Sequence, residues 1–254
     1  FYSPGALALD REGNLYIVDN RNANFSDDGS RIRKVDSNGI VTTVVGNGTV
    51  PGSSNGDGGP AVNASLGAVR GLTFDAKGNM YLSDGNNNGQ SIRQVAPGGT
   101  ITTFATVPFS SGGLNGQLAV DAAGNVYSTI FAPDPITGFN GGNLTRFSPD
   151  GTTKVLLRNH FGFGKTAFDS QGNLYVPSGD GSVVLRLSPS GVQILVAGTG
   201  QVGFSGDDGP AISAQLLVPT AVALDRAGNL YIADLANNRI RKVFLNPASG
   251  LFEP

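Results

Sequence analysis

The pattern Asp-x-x-Gly-Asn-(Leu/Met/Val)-Tyr occurs five times in this chain of 254 residues. A chain that repeats one motif at a spacing of tens of residues folds as a series of like units. The copies run Asp10–Tyr16, Asp75–Tyr81, Asp121–Tyr127, Asp169–Tyr175 and Asp225–Tyr231, so five of the six tyrosines occupy one repeat position. What recurs in every copy belongs to the scaffold. What appears in a single copy is where function can sit.

Each copy reads as four short strands. In the first, Ala6–Leu9 is an apolar run, Arg11–Asn14 turns the chain, and Leu15–Val18 is a second run. Arg31–Val35 alternates, Ser37–Gly39 turns again, and Ile40–Val45 is rich in β-branched residues. β-Branched runs punctuated by Gly, Asn, Asp and Ser form antiparallel meanders. The same grammar returns from Gly71, Gln117, Lys165 and Ala221, with Pro–Gly turn chemistry at Ala96–Gly99, Ser148–Gly151 and Ser188–Gly191. No stretch sustains a 3.6-residue apolar period, which predicts almost no helix. Four-stranded units that cannot bury their own faces stack radially. The expected fold is therefore all-β: a β-propeller of four-stranded antiparallel blades, one domain over residues 1–254. The blades are expected near 4–46, 68–106, 115–158, 163–198 and 219–254, with the first strand of each lining the channel.

Composition narrows the function classes. Charged residues make up 14% of the chain, against roughly 25% in average proteins, and the 38 glycines mark a turn-rich polar surface. A net charge of −2 with dispersed basic residues excludes a nucleic-acid footprint. Without cysteine there are no disulfides and no thiolate metal sites. No apolar run approaches the ~20 residues of a membrane span, so membrane insertion is not expected. The chain starts at Phe1 with no basic-then-apolar leader, which points to a segment of a longer, exported protein.

The string Asn229–Asp234, followed by Asn237–Val243, resembles the NHL repeat, and the resemblance covers essentially the whole chain. It implies a propeller whose relatives serve as interaction modules, sensor domains and, less often, enzymes. Gly56–Ala61 and Gly206–Ala211 resemble the inter-blade segments of large secreted bacterial members. Propellers of this family usually have six blades, against five copies here. Copy five also breaks its pattern after Leu245, leaving a weak fourth strand, and nothing before Ala6 can donate one. Either a five-bladed ring closes without strand exchange, or a sixth blade lies outside these residues; the second reading is favoured.

Differences between copies supply the candidate residues. Copies one, two and five end their second strand with Asp19, Asp84 and Asp234, and carry Arg33, Arg93 and Arg241 on the third. In copies three and four these become Ile130 with Thr145, and Ser178 with Leu185. Acid and base come and go together, on positions diagonal across a hairpin, which predicts three ion pairs. The near-twin connections 46–66 and 198–216 carry Asp57, Asp207 and Asp208 among glycines. Calcium, held by hard oxygen ligands, is the one metal these residue types admit; no other cofactor is expected. Phe131–Gly142 extends one hairpin of copy three, with Phe131, Asp134 and Phe139 suited to partner contact. His160, the sole histidine, is a further partner-contact candidate and cannot build a multi-histidine metal site.

The expected function is an extracytoplasmic binding or scaffolding module that recognises a protein or glycan through loops on one propeller face. The alternative is a metal-dependent lactonase- or lyase-like propeller enzyme with its site at the central channel. Related hydrolases place a metal there among Glu, Asn and Asp. Here the only glutamates are Glu12, in a repeat turn, and Glu253, at the end. Without a Gly-x-Ser-x-Gly signature or a histidine cluster, no catalytic constellation is recognisable, and the enzyme reading ranks second.

Overall fold

In the computed structural model of the protein, residues 1, 3–20, 29–49, 56–86, 89–107, 113–114, 116–133, 140–160, 164–246 and 251–253 are described. They form five four-stranded antiparallel sheets, one per repeat, the blades of a β-propeller. Blade 1 comprises β1 Ser3–Leu9, β2 Leu15–Asn20, β3 Arg31–Val35 and β4 Val41–Val45. Blade 2 comprises β5 Ala68–Phe74, β6 Met80–Asn86, β7 Gly89–Val95 and β8 Ile101–Val107. Blade 3 comprises β9 Ala119–Val120, β10 Val126–Pro133, β11 Asn140–Phe147 and β12 Thr153–His160. Blade 4 comprises β13 Ala167–Phe168, β14 Leu174–Ser178, β15 Val183–Leu187 and β16 Gln193–Ala197. Blade 5 comprises β17 Pro219–Leu224, β18 Leu230–Asp234, β19 Arg239–Asn246 and β20 Leu251–Glu253. Each sheet keeps its strands in chain order, so every blade is a meander. Helix among the described residues is limited to single 3₁₀ turns at Ala61–Asn63, Ala211–Ser213 and Leu235–Asn237.

The repeat motif builds the turn between the first and second strands. In copy two, Asp75 Oδ1 accepts the N–H of Lys77 (2.8 Å) and of Asn79 (2.9 Å). Its Oδ2 accepts from the Asn79 amide at 2.7 Å and from the Tyr81 hydroxyl at 3.2 Å. Asp121, Asp169 and Asp225 repeat the four contacts, each with its own Asn and Tyr. The repeat glycine sits at φ +84° in Gly78 and Gly13. A Cβ on Gly13 would meet nothing within 4 Å, so backbone conformation, not space, demands glycine there.

The chain divides into two compact units, residues 1–133 with 145–154, and residues 134–144 with 155–254. Each blade has a leading face, toward the preceding repeat, and a trailing face, toward the next. In the first unit, Tyr16, Val18, Ile32 and Val45 on the trailing face of blade 1 pack against Leu72, Met80, Leu82, Val95 and Ile101 on the leading face of blade 2. Tyr81 and Ile92 of blade 2 pack in turn on Leu118, Val126 and Phe147. In the second unit, Tyr175 and Val184 of blade 4 meet Val222, Leu230, Ile232 and Val243 of blade 5. Burying a side chain of this size contributes about 1.5–3 kcal/mol.

Candidate functional site

A meander sends its connections to two ends. The turns between strands one and two and between three and four lie at one end, and they carry the invariant Asp–Asn–Tyr network. The hairpins between strands two and three, and the connections to the next blade, lie at the other. Everything specific to individual copies collects at that second end.

The three Asp–Arg pairs stand there. Ile17 pairs with Arg33 and Asp19 with Arg31, which sets Asp19 diagonally to Arg33, and blades 2 and 5 share the register. The separations are 3.7 Å for Arg33–Asp19, 2.9 Å for Arg93–Asp84 and 3.5 Å for Arg241–Asp234. Arg93, Asp84 and Asp234 are fully buried. Asp84 also accepts the N–H of Gly67 at 2.8 Å, and Asp234 that of Leu217 at 2.7 Å. The same carboxylates thus anchor the chain entering their blades. Burial pushes the Asp84 carboxyl above its ordinary value, against the opposing pull of the Gly67 N–H and the Arg93 charge.

The long connections bring a second acid to two of these arginines. Arg93 Nη2 lies 2.6 Å from Asp57 Oδ1, while Thr103 donates to Asp57 Oδ2 at 2.6 Å. Arg241 Nη2 lies 2.5 Å from Asp207. Asp57 and Asp207, two of the three carboxylates expected as calcium ligands, thus stand as guanidinium partners, and each long loop is clamped to the blade that follows it. Among the described residues no three His, Cys, Asp or Glu side chains gather closely enough to hold a metal ion. Asp208 is exposed, in the left-handed region at φ +62°.

The two loops differ in how they are covered. In the first unit, segment 58–61 pairs with blade 2 through Gly58 N to Ile101 O (2.8 Å), Ile101 N to Gly59 O (3.1 Å) and Ala61 N to Gly99 O (2.7 Å). In blade 5, among the described residues, β20 pairs only with Phe244–Asn246. A cavity of about 300 Å³ opens beside Val243 and Arg241, lined also by Asp207, Ala211, Leu216 and Ile232. In blade 2 the fourth strand, opposite Val95 and Arg93, fills the equivalent space with Ile101 and Thr103.

The connection into blade 5 also presents apolar side chains. Val202, Phe204, Val218 and Leu235 are exposed. Hydrogen bonds hold them together: Gly203 N to Leu216 O (3.3 Å), Leu235 N to Val218 O (3.3 Å) and Ala236 N to Leu217 O (3.1 Å). Asn237 Nδ2 donates to Gly203 O at 2.8 Å and to Asp234 at 2.8 Å. The Arg239 guanidinium stacks 4.0 Å from the centre of the Phe204 ring, with Arg241 at 5.0 Å. Val218 holds φ +54°, a region that β-branched residues avoid, so surrounding contacts must enforce it.

Among the other expected contact residues, Phe131 is half-buried within β10, its N–H donating to Gly113 O at 2.8 Å. The expected long loop of copy three is thus partly strand, β10 running to Pro133 and β11 starting at Asn140. His160 ends β12. Asp134 and Phe139 lie outside the described residues. Sequence reasoning passed over Phe204 and Arg239. The available signal was a Val-x-Phe string inside a loop otherwise made of small and polar residues.

No protein-family model matches the chain. Human teneurin-1 is 25% identical over 252 residues, covering 97% of this chain and 8% of its own length. The matches to teneurins span 8–10% of those proteins. Among solved structures, virginiamycin B lyase from Staphylococcus aureus superposes with a TM-score of 0.62 at 15% identity, covering 99% of this chain and 69% of that one. An auxiliary nutrient binding protein from Bacteroides ovatus superposes with a TM-score of 0.60 at 14% identity, covering 94% and 58%. At these identities the two structures share the fold with this chain.

Proposed function

We propose that the chain is an NHL-type propeller working outside the cytoplasm as a binding module, which recognises a protein or glycan partner through the connections at one end of its blades. The observation that carries this reading is the exposed cluster of Val202, Phe204, Val218 and Leu235 around Arg239. Aromatic and arginine side chains on a pre-organised surface are the residue types that dominate binding hot spots. The rigidity of the cluster lowers the ordering cost of association. Two of the solved structures that share the fold are a lyase and a nutrient binding protein, so the fold alone serves both kinds of work. Among the described residues no helix is long and apolar enough to cross a membrane.

The test is a screen of the purified chain against an immobilised glycan panel and against extracytoplasmic proteins, followed by calorimetry on the ligand found. Phe204→Ser and Arg239→Glu should each weaken that complex at least ten-fold while leaving the melting temperature within about 2 °C. Binding that ignores both substitutions, or turnover of a lactone that is lost on chelation, overturns the reading.

A further inference from the structure

The turn end of the blades, opposite the loops described above, carries clefts between consecutive blades. One lies between blades 1 and 2, with a volume of about 350 Å³, and another between blades 4 and 5, with about 310 Å³. Each falls within one compact unit. Both are built from the same repeat positions. The first wall carries the repeat Asp, the repeat Tyr and the basic residue opposite that Tyr on the third strand, Lys34 opposite Tyr16 and Arg186 opposite Tyr175. The second wall is the next repeat turn, Asp75–Gly78 or Asp225–Gly228.

The two copies differ in what occupies the cleft. Between blades 1 and 2, Arg11 crosses to the Ala76 carbonyl at 3.0 Å, and Lys34 lies 3.9 Å from Asp10. The protein bridges that cleft with its own cation. Between blades 4 and 5, Ser170 stands at the position of Arg11 and the neutral Gln171 at that of Glu12, so the crossing side chain is gone. An arginine comes instead from the opposite wall, Arg226 at the position of Ala76. Arg186 and Arg226 both line this cleft, and neither joins an ion pair among the described residues. The Nε of Arg186 is buried without an acceptor.

The acids of the cleft are already engaged by their own turns. Asp169 accepts the N–H of Gln171 and of Asn173 at 2.9 Å, the Asn173 amide at 2.7 Å and the Tyr175 hydroxyl at 3.2 Å. Asp225 accepts the same four bonds from Ala227, Asn229 and Tyr231. A carboxylate has about four acceptor sites, so both are saturated. What remains for a ligand is a pair of guanidinium groups and an apolar lining of Phe168, Leu224 and Leu245. Apolar walls with a few charged groups, at this volume, are the make-up of a small-molecule site. The guanidinium fork matches a carboxylate.

We propose that the cleft between blades 4 and 5 binds a small organic anion. Its carboxylate is held by Arg186 and Arg226, and its apolar body lies on Phe168, Leu224 and Leu245. This site is separate from the partner surface around Phe204, at the other end of the blades.

Calorimetric titration of the purified chain with benzoate tests the proposal, with benzamide and inorganic phosphate alongside. Benzoate should bind saturably at a single site. Benzamide has the shape without the charge, and phosphate the charge without the apolar body; each should bind at least about ten-fold more weakly. Arg226→Gln should weaken benzoate about ten-fold, and Arg226→Lys should recover part of the loss. Arg226 is exposed, so both variants should melt as wild type does. Arg11→Gln, the corresponding change at the first cleft, should leave benzoate affinity as it was. Absence of benzoate binding overturns the proposal. So does benzamide or phosphate binding as tightly as benzoate, or a loss at Arg11→Gln equal to that at Arg226→Gln.

Discussion

Asp75 and Asp84 belong to the same blade and respond to acid in opposite directions. Burial alone would raise the Asp75 carboxyl, but bonds from the Asn79 side chain and backbone, the Lys77 N–H and the Tyr81 hydroxyl hold it below the ordinary value. Asp10 is lowered in the same manner, by Asn14, Tyr16 and Lys34 against its burial. A lowered carboxylate stabilises the fold above its unfolded value near ~3.9, and that contribution is lost as pH falls through the folded value. Asp84 is raised, so its contribution is fully present below the unfolded value and is lost as pH rises through the folded one. Asp75→Ala should therefore cost about 2 kcal/mol at neutral pH in urea unfolding and much less at pH 3. Asp84→Asn leaves the buried Arg93 guanidinium short of one of its two acids and should cost about 3 kcal/mol. Asp19→Asn removes a longer, partly exposed pair and should cost ~0–1 kcal/mol. Equal losses at Asp84 and Asp19 would show that burial does not set the worth of these pairs.

At the scale of elements, each long loop sends one carboxylate to an arginine of the blade that follows, beside its backbone hydrogen bonds. Asp57→Ala should loosen segment 56–61 on its remaining backbone bonds, seen as faster hydrogen exchange at the Gly58, Ala61 and Ile101 amides, with the β6–β7 ladder unchanged. Asp207→Ala should have the smaller effect, because its carboxylate is more exposed and more strongly screened. The strands themselves were readable in the sequence, since period-two runs and Asp–Gly–Asn turns are local signals. The diagonal Asp–Arg pairs were readable too, because a repeat displays which residues vary together. The loop clamps were not. Asp57 and Arg93 are 36 positions apart, and only the fold shows that the loop returns over the guanidinium. Phe204 escaped notice for a related reason: its meaning depends on Arg239 and Leu235, which arrive from another hairpin. The extension of β10 to Pro133 went against a local reading, because a string with two prolines and a glycine reads as loop.

For the molecule as a whole, the repeats make one substitution a measure of what each blade carries. Ile92→Ala should cost about 2–5 kcal/mol by opening a buried contact. Ile240→Ala should stay within about 0.5 kcal/mol. Chemical unfolding of the two variants side by side checks both numbers, and a comparable loss at Ile240 would show that blade 5 is covered in solution. The tyrosines extend the comparison to light. The chain has no tryptophan, so its intrinsic ultraviolet emission comes from tyrosine, and five of six emitters occupy the repeat turn. Burial, with the repeat aspartate nearby, pushes the Tyr81 and Tyr175 hydroxyls up to about 12, and Tyr127 is raised as well. Blades 2, 3 and 4, when folded, thus resist forming tyrosinate at pH values where an unfolded chain has already ionised. Contact with a carboxylate also quenches the ring's emission, so each blade that opens switches on its own lamp. A single fluorescence trace, with no label attached, counts the blades still closed.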